Sequence, residues 1–295
     1  MAQDPAVALR PEYLEWLRRL DAERRYGERD RRGSANLIGE RAGARALRSI
    51  DRGVTVTISR PLIEGSSRRG DGRPSYGLEV FYTEGPIGMG SDHVELDCHG
   101  MDNTHLDALN HLAIDGRWYG GWAVEEADPP SVDDVAGEGI FTRAVHLDIA
   151  ALRATPWVDP DRPVTGDDLE AAASASGADL EPGDALLVDM GRDRWEAAGG
   201  PGAPALPGIG EDGARWIAEH EVGILCWDFL DAVHPSEPVA PVHMLNWALG
   251  LLLCDNCDFS RLRAPMTGRA SAALVIAPLP MRGATGCNVN PLLIL

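Results

Sequence analysis

The sequence predicts an α/β protein, and three observations lead to that prediction. Short apolar or β-branched runs alternate with segments that show helical spacing or helix start signals. Hydrophobic residues make up 44% of the 295, enough for a sizeable core. No internal repeat or break in composition divides the chain, so we expect a single domain over residues 1–295.

The first fifty residues are predicted to be a helical segment. An apolar stripe runs along Pro11–Tyr26, and Pro11 suits the first position of a helix. A second helix is predicted for Leu37–Ile50, ending near Gly53. We expect residues 1–50 to pack on the rest of the domain or on a partner subunit.

Beyond residue 53 the predicted strands and helices alternate. Strands are predicted from β-branched or continuous apolar runs, and helices from helical spacing or capping residues. The predicted strands are Val54–Ile58, Phe141–Asp148, Gly183–Asp189, Val222–Trp227 and Ala272–Pro278. The predicted helices are Thr165–Ala175, Glu211–His220 and Val242–Leu253. Loops rich in glycine are predicted for Glu64–Tyr76 and Gly199–Gly210.

The charge of the chain excludes several classes of function. Its net charge is −19, from 27 basic and 46 acidic residues, so nucleic acids and anionic membranes are poor partners. Every basic residue is arginine. Without lysine, the chain has no Schiff-base amine, no P-loop lysine and no kinase strand lysine.

The cysteines and the apolar runs favour a reduced, cytoplasmic protein. Five cysteines in a chain of this length do not form a disulfide framework pattern. Residues 1–10 lack the pattern of a signal peptide, and the longest apolar run, Trp247–Cys254, is too short to span a bilayer. The pair Cys254 and Cys257 has the spacing of a redox motif, but we favour a structural role because it follows an apolar helix.

The segment Asp97–Tyr119, DCHGMDNTHLDALNHLAIDGRWY, carries the strongest chemical signal. It places His99, His105, Asp107 and His111 within thirteen residues. A single histidine is more often an ordinary polar side chain, but three with an aspartate this close indicate a metal site. In an extended segment, His105 and Asp107 leave the same face and can reach one ion.

Further ligands are expected downstream. His243 begins a predicted helix and Asp255 follows its end. An ideal helix would hold them roughly 18 Å apart, so we expect the chain to turn back after Leu253. By composition alone, Asp231 and His234 are rival ligands.

This histidine-rich segment resembles the signature of the cyclase-like metal hydrolases, the family of bacterial kynurenine formamidase and isatin hydrolase. The stretches RYGERDRRGSANLI, TRAVHLDIA, EPGDALLVDMG, PVH and GATGCNVNPL follow family features in the same order, so the resemblance covers most of the chain. It implies a mixed, β-rich core flanked by helices, known as a swivelling β/β/α fold. It also implies a homo-oligomer, either a homodimer or a homotetramer.

The resemblance also implies roles for individual residues. His105 and Asp107 match metal ligands, and His111 matches the histidine that exchanges protons with the substrate. His243 and Asp255 match a downstream histidine and an acidic ligand that is usually glutamate.

The chain departs from the family pattern at two of these positions. Met101 stands where the common form has histidine, and a thioether is a poor ligand for a borderline divalent ion. His99 is expected to replace it. Asp255 is one methylene shorter than glutamate. Both departures favour one metal ion over two.

These residues predict a hydrolase that uses Zn or Mn to cleave an amide, formamide or ester bond of a small, aromatic substrate. Such an ion lowers the pKa of a bound water towards roughly 7, and His111 can carry the proton. One alternative is a metal-dependent lyase, dehydratase or cyclase at the same site, and another is a binding protein without catalysis. Trp118, Tyr119 and Trp122 are the predicted walls of the substrate pocket.

Overall fold

Helices and strands alternate along the computed structural model, which describes residues 10–65, 74–200, 206–234 and 236–295. The helices are α1 (Pro11–Ala22), α2 (Glu40–Arg48), α3 (Asp133–Ala136), α4 (Ile149–Leu152), α5 (Gly166–Ser176), α6 (Arg192–Ala197), α7 (Glu211–Glu219), α8 (His243–Leu249) and α9 (Arg263–Met266). The strands are β1 (Thr55–Thr57), β2 (Tyr76–Tyr82), β3 (Gly90–Leu96), β4 (His105–Asp107), β5 (Ile140–Asp148), β6 (Ala185–Asp189), β7 (Ile224–Trp227), β8 (Leu252–Asp255), β9 (Ala272–Ile276), β10 (Gly286–Asn288) and β11 (Leu292–Ile294). Of the predicted loops, residues 66–73 and 201–205 lie outside the described residues.

A nine-stranded mixed sheet forms the centre of the fold, in the order β1-β11-β9-β5-β6-β7-β8-β4-β10. Strands β5 to β8 are parallel neighbours. The strands on either side of them pair antiparallel. Helices pack against this sheet, so the predicted mixed α/β core flanked by helices is confirmed.

The central strands are buried on both faces, as is typical of parallel strands covered by other elements. In β6, Leu186 and Val188 pack into one apolar cluster with residues of α1, α5, α7 and α8. Ala185 and Leu187 point the other way into a second cluster. The continuous apolar run that predicted this strand follows from its two buried faces.

The cysteines belong mainly to the second cluster. All five are free thiols. Cys226, Cys254 and Cys257 are fully buried, and the sulfur atoms of Cys254 and Cys257 lie 3.9 Å apart. Burial raises the pKa of the Cys257 thiol. The sulfur atoms of Cys226, Cys254 and Cys257 lie within 4.8 Å of one another, and the structural role expected for Cys254 and Cys257 stays a prediction.

The predicted single helix over Val242–Leu253 is wrong. Helix α8 ends at Leu249, and Gly250 reverses the chain with a left-handed φ of 67°. A Cβ at this position would lie 2.6 Å from the Cα of Gly33, so only glycine fits. The chain therefore turns at Gly250 rather than after Leu253, and β8 runs back towards the start of α8.

The N-terminal helix α1 packs against α8 of the same chain. Tyr13 and Leu17 are fully buried, and the Tyr13 hydroxyl donates a hydrogen bond of 2.6 Å to the carbonyl of Pro241. The second predicted helix is shorter than expected and begins at Glu40. Across the described ranges, none of the helices combines the length and apolar character needed to cross a bilayer.

Strands β2 and β3, which the sequence analysis did not predict, form a separate antiparallel hairpin. Every residue of β3 is exposed. The hairpin carries large apolar side chains in water, among them Phe81 and Ile87, so it lacks the buried face that gives a strand its usual alternation.

Candidate metal centre

The candidate centre is built on the short strand β4. His105 and Asp107 leave the same face of β4, and Leu106 between them packs into the second apolar cluster. Strand β4 pairs with β8 in a register that sets His105 opposite Asp255. The sheet therefore brings together residues that are 150 positions apart in sequence.

Four imidazoles surround the carboxylate of Asp107, which is fully buried. Its Oδ1 lies 3.0 Å from Nδ1 of His99 and 3.5 Å from Nε2 of His105. Its Oδ2 lies 3.7 Å from Nε2 of His111 and 3.7 Å from Nε2 of His243. The two oxygens thus face different pairs of histidines.

Within the described residues, neither oxygen of Asp107 has a donor in hydrogen-bond geometry, and Nδ1 of His99, although it lies 3.0 Å from Oδ1, is also buried without a partner in that geometry. Burial opposes ionisation of Asp107, but the surrounding imidazoles outweigh it and hold its pKa below the usual range. A buried carboxylate without hydrogen bonds is strongly unfavourable unless a cation compensates it. A positive charge between these side chains would therefore stabilise the buried carboxylate of Asp107.

Asp255 closes the opposite side of the centre. Its Oδ2 lies 3.0 Å from Nε2 of His243 and 3.8 Å from Nε2 of His105. Its Oδ1 accepts a hydrogen bond of 2.5 Å from the indole of Trp227, which is fully buried. Trp227 thereby fixes which oxygen of Asp255 faces the histidines.

The donor set fits a divalent ion in both chemistry and spacing. Imidazole nitrogen and carboxylate oxygen suit Zn and Mn. Two triads, His99–His105–Asp107 and Asp107–His243–Asp255, each hold their ligand atoms within 4.8 Å of one another. Tetrahedral ligands at about 2.0–2.1 Å from zinc are roughly 3.3 Å apart. The observed separations of 3.0–3.8 Å lie around that value.

Asp231, one of the two rival ligands, lies behind His243 rather than in the centre. Its carboxylate is hydrogen-bonded to Nδ1 of His243 and accepts a bond of 2.5 Å from the backbone N–H of Val242. Burial lowers the pKa of His243, but Asp231 and Asp255 outweigh it and raise that pKa. The other rival, His234, pairs with the hydroxyl of Ser236 at 2.7 Å, away from the ion ligands.

The side chain of His111 is about one quarter exposed, at 24%, as is that of His99, at 29%, whereas those of His105 and His243 are more buried. Its ring stacks on His99 with centroids 4.1 Å apart. Burial lowers the pKa of His111, and the charge of Asp107 only partly opposes this. A neutral imidazole with access to the outside is suited to accept a proton.

Met101 and His99 explain how the chain departs from the family pattern. His99 reaches Asp107 and is held on its other side by a contact of 2.9 Å between Nε2 and the hydroxyl of Thr285. Met101 instead lines a cavity beside the centre. The structure thus brings His99, and not residue 101, up to Asp107.

Two polar side chains that sequence reasoning missed brace the loop from Gly100 to Thr104. The Asn256 amide donates to the carbonyls of Gly100 and Asn103, at 2.6 and 3.0 Å. The buried Arg192 donates to the Asn256 side chain at 2.6 Å and also to the carbonyl of Met101. Their sequence context gives no sign of this role, because each partner is at least 64 residues away.

A cavity of about 440 Å³ opens beside His243. Its walls are mainly apolar, and it reaches Leu112, the neighbour of His111. This volume is within the range of about 300–1,000 Å³ that is usual for small-molecule sites.

The predicted aromatic pocket walls lie elsewhere. Trp118, Tyr119 and Trp122 are absent from the described residues that line the cavity. The Tyr119 hydroxyl donates to Asp30 at 3.1 Å, and the Trp122 ring lies 3.4 Å below the guanidinium of Arg29. These contacts tie Tyr119 and Trp122 to the N-terminal segment, and the role of the three aromatic residues in substrate binding stays a prediction.

The sequence and the fold were both compared with those of known proteins. The family model described as "Cyclase: Putative cyclase" matches residues 53–232. No curated protein matches the sequence significantly.

Three solved structures are similar in fold. The crystal structure of a novel cyclase is 22% identical with a TM-score of 0.82, over 98% of this chain and 100% of that one. Isatin hydrolase A from Labrenzia aggregata, bound to benzyl benzoate, is 18% identical with a TM-score of 0.61, over 81% and 93%. A predicted metal-dependent hydrolase from Bacillus stearothermophilus is 17% identical with a TM-score of 0.52, over 81% and 97%.

Proposed function

Because this chain belongs to the cyclase family, we propose that it is a metal-dependent hydrolase that cleaves an amide or ester bond of a small molecule. One observation carries the proposal. The fully buried carboxylate of Asp107 lies among four imidazoles and, in the described part of the chain, has no donor in hydrogen-bond geometry. The isatin hydrolase relatives support a C–N bond, including one in a ring, as the bond that is cleaved.

We assign the cation to His105, Asp107, His243 and Asp255, with His99 as a further ligand. A divalent ion, Zn or Mn, would supply Lewis acidity towards a carbonyl oxygen and a more acidic water. The expectation of a single ion rests on the departures at Met101 and Asp255. Both triads share Asp107.

The side chains of the protein supply the rest of the chemistry. His111 is suited to take a proton and return it to the leaving nitrogen or oxygen, because it is partly exposed and its pKa is lowered. Asp231 fixes the ring of His243, and Trp227 fixes the carboxylate of Asp255. The apolar cavity holds the substrate beside these groups and excludes water from it.

The proposal is tested with protein purified without chelator. Elemental analysis gives the identity and stoichiometry of the metal, and we expect about one Zn or Mn for each chain. N-formyl arylamines, cyclic imides and lactones are then screened in ¹⁸O-labelled water. Hydrolysis incorporates one labelled oxygen into the product.

Other results would contradict the proposal. Turnover without the label would indicate elimination or ring closure, the reaction class of the alternative lyase or cyclase. Protein that carries no transition metal and gains none on addition of Zn or Mn would indicate a binding protein. Loss of turnover in EDTA and its return with one of these ions are expected for the hydrolase.

A further inference from the structure

We infer that the cavity beside the metal centre selects neutral, mainly apolar substrates and rejects those that carry an anionic group into the cavity. This inference rests on the proposed function and adds a substrate class to it. It concerns the part of the substrate away from the bond that is cleaved.

The walls of the cavity are hydrocarbon over most of their area. Phe229 is buried, and Val233 is half exposed at 51%, so the apolar lining continues to the surface. The apolar side chains that line it include Leu112, Leu206, Phe229, Leu230, Val233 and Val239. Binding to such a surface is favoured mainly by the burial of apolar substrate atoms against it.

The charges around the cavity disfavour an anion. Among the described residues that line it, none is an arginine, two are the acidic Asp231 and Glu237, and two are the histidines His234 and His243. Glu237 accepts a hydrogen bond of 2.6 Å from the backbone N–H of Glu211. Asp231 is held by His243. The imidazole of His243 already pairs with Asp231, and that of His234 with Ser236. A substrate anion against the apolar walls, away from the ion, would therefore lose its hydration without gaining an ion pair from the described lining, which is strongly unfavourable.

Met101 extends the apolar wall up to the metal centre. Its side chain lines the cavity, while its backbone is held by Arg192. A methionine here adds a flexible, apolar surface where a histidine would add a polar one. Met101 is therefore a residue that determines specificity, and the centre keeps its imidazole through His99.

The volume of about 440 Å³ indicates the size of the substrate. Sites that enclose drug-sized molecules usually have volumes of about 300–1,000 Å³, and this cavity is within that range. The substrate class is therefore a neutral amide or ester with a bulky hydrocarbon portion, such as two rings or an acyl chain.

Charge selection is tested with two fluorescent probes that differ by one sulfonate. N-phenyl-1-naphthylamine is neutral, and 8-anilino-1-naphthalenesulfonate is its anionic counterpart. We expect the metal-loaded protein to bind the neutral probe more tightly by roughly tenfold or more. Binding of either probe requires no turnover, so the result does not depend on the hydrolase activity.

Variants at the rim locate the binding site. Val233→Arg places a cation at the exposed edge of the cavity and should strengthen binding of the anionic probe several-fold. His234→Arg is a second variant of the same design. Leu279→Arg, at a position 62% exposed and outside the described lining, is the matched control and should change neither affinity. Met101→His should weaken binding of the neutral probe.

Two results would overturn the inference. One is equal or tighter binding of the anionic probe to the unaltered protein, and the other is an affinity ratio that neither rim arginine changes. The same preference is expected in turnover of 4-nitrophenyl hexanoate over the mono-4-nitrophenyl ester of adipate. If these esters and the screened amides all resist cleavage while the probe preference holds, the hydrolase proposal fails and the charge selection stands.

Discussion

His243 is hydrogen-bonded through Nδ1 to the carboxylate of Asp231, and this bond turns its Nε2 towards Asp107 and Asp255. A carboxylate behind a histidine fixes the tautomer of the ring and raises its basicity as a ligand. Asp231 thus acts on the metal centre without touching the ion.

Asp231→Asn should lower metal affinity by roughly 10–100-fold. The amide can still form a hydrogen bond, but it no longer carries the negative charge. Titration of the apo-protein with Zn and a chromophoric chelator measures the change. Unchanged affinity would show that Asp231 does not influence the ligand. Asp212→Asn serves as a control, since Asp212 accepts a bond from Gly166 at the start of α5.

His105→Ala and Asp107→Ala should each abolish stoichiometric metal binding. Both side chains are buried and face the same side of β4, and both belong to the triad His99–His105–Asp107, so either substitution removes one of its three ligands. Elemental analysis of purified variants is the measurement. His93→Ala is the matched control, because His93 is an exposed residue of the β2–β3 hairpin. Metal retained at the normal level in both site variants would contradict the assigned centre.

His111→Ala should keep the metal and lower turnover by about 10²–10⁴-fold, the usual effect of removing an acid/base group. His111 is partly exposed, whereas His105 is buried. Metal content and kcat are measured on the same preparation. Turnover near the normal level would remove His111 from its assigned role, and loss of metal would make it a ligand.

Metal affinity should fall as the pH falls from 8 to 5. A cation binds the neutral imidazole, so each proton taken up by a ligand histidine competes with it. Asp231 and Asp255 raise the pKa of His243 in the metal-free protein, so this competition begins at a higher pH than for a free histidine. Calorimetric titration at several pH values tests this. Affinity that stays constant over this range would contradict histidine ligation.

Asp168 should contribute stability above pH 4 that is lost as the pH falls towards 2. Burial opposes its ionisation, but Arg153 and Thr165 outweigh it and lower its pKa from 3.8 to about 2. The folded state therefore binds fewer protons than the unfolded state in this window, and acid favours unfolding.

Urea unfolding at pH 7, 4 and 2 measures this contribution. Asp168→Asn should be less stable than the unaltered protein at pH 7, by about 1 kcal/mol, and the difference should shrink at pH 2. Asp167→Asn, at an exposed position of the same helix, is the control. An equal difference at all three pH values would argue against an ionised Asp168.

The sequence predicts the elements whose residues are buried in a regular pattern. Strand β6 and helix α5 were both found close to their predicted bounds, because continuous burial and a capping box leave a local signal. The end of α8 could not be found in this way, since the turn at Gly250 depends on its contact with Gly33. The exposed hairpin was missed because neither face of it is covered by the described chain.

The residues of the candidate centre also divide into those that the sequence predicts and those that only the folded structure shows. His105 and Asp107 could be paired from their spacing alone, because a strand repeats every two residues. The contribution of Asp231 could not, because only the folded chain shows that it stands behind His243 and not beside it. Trp227 and Asn256 are ordinary buried residues in the sequence, and their contacts reach partners at least 28 positions away.

Strand β4 has three residues and is held on one edge by β8 and on the other by β10. A slip of one residue against either neighbour would exchange Leu106 for His105 and Asp107 at the metal centre. The last of the proposed ligands in chain order is Asp255, at the end of β8, so a growing polypeptide lacks the full proposed ligand set until residue 255 has been synthesised. An ion bound by all of these side chains would therefore require that β4 and β8 have already paired, because that pairing sets His105 opposite Asp255.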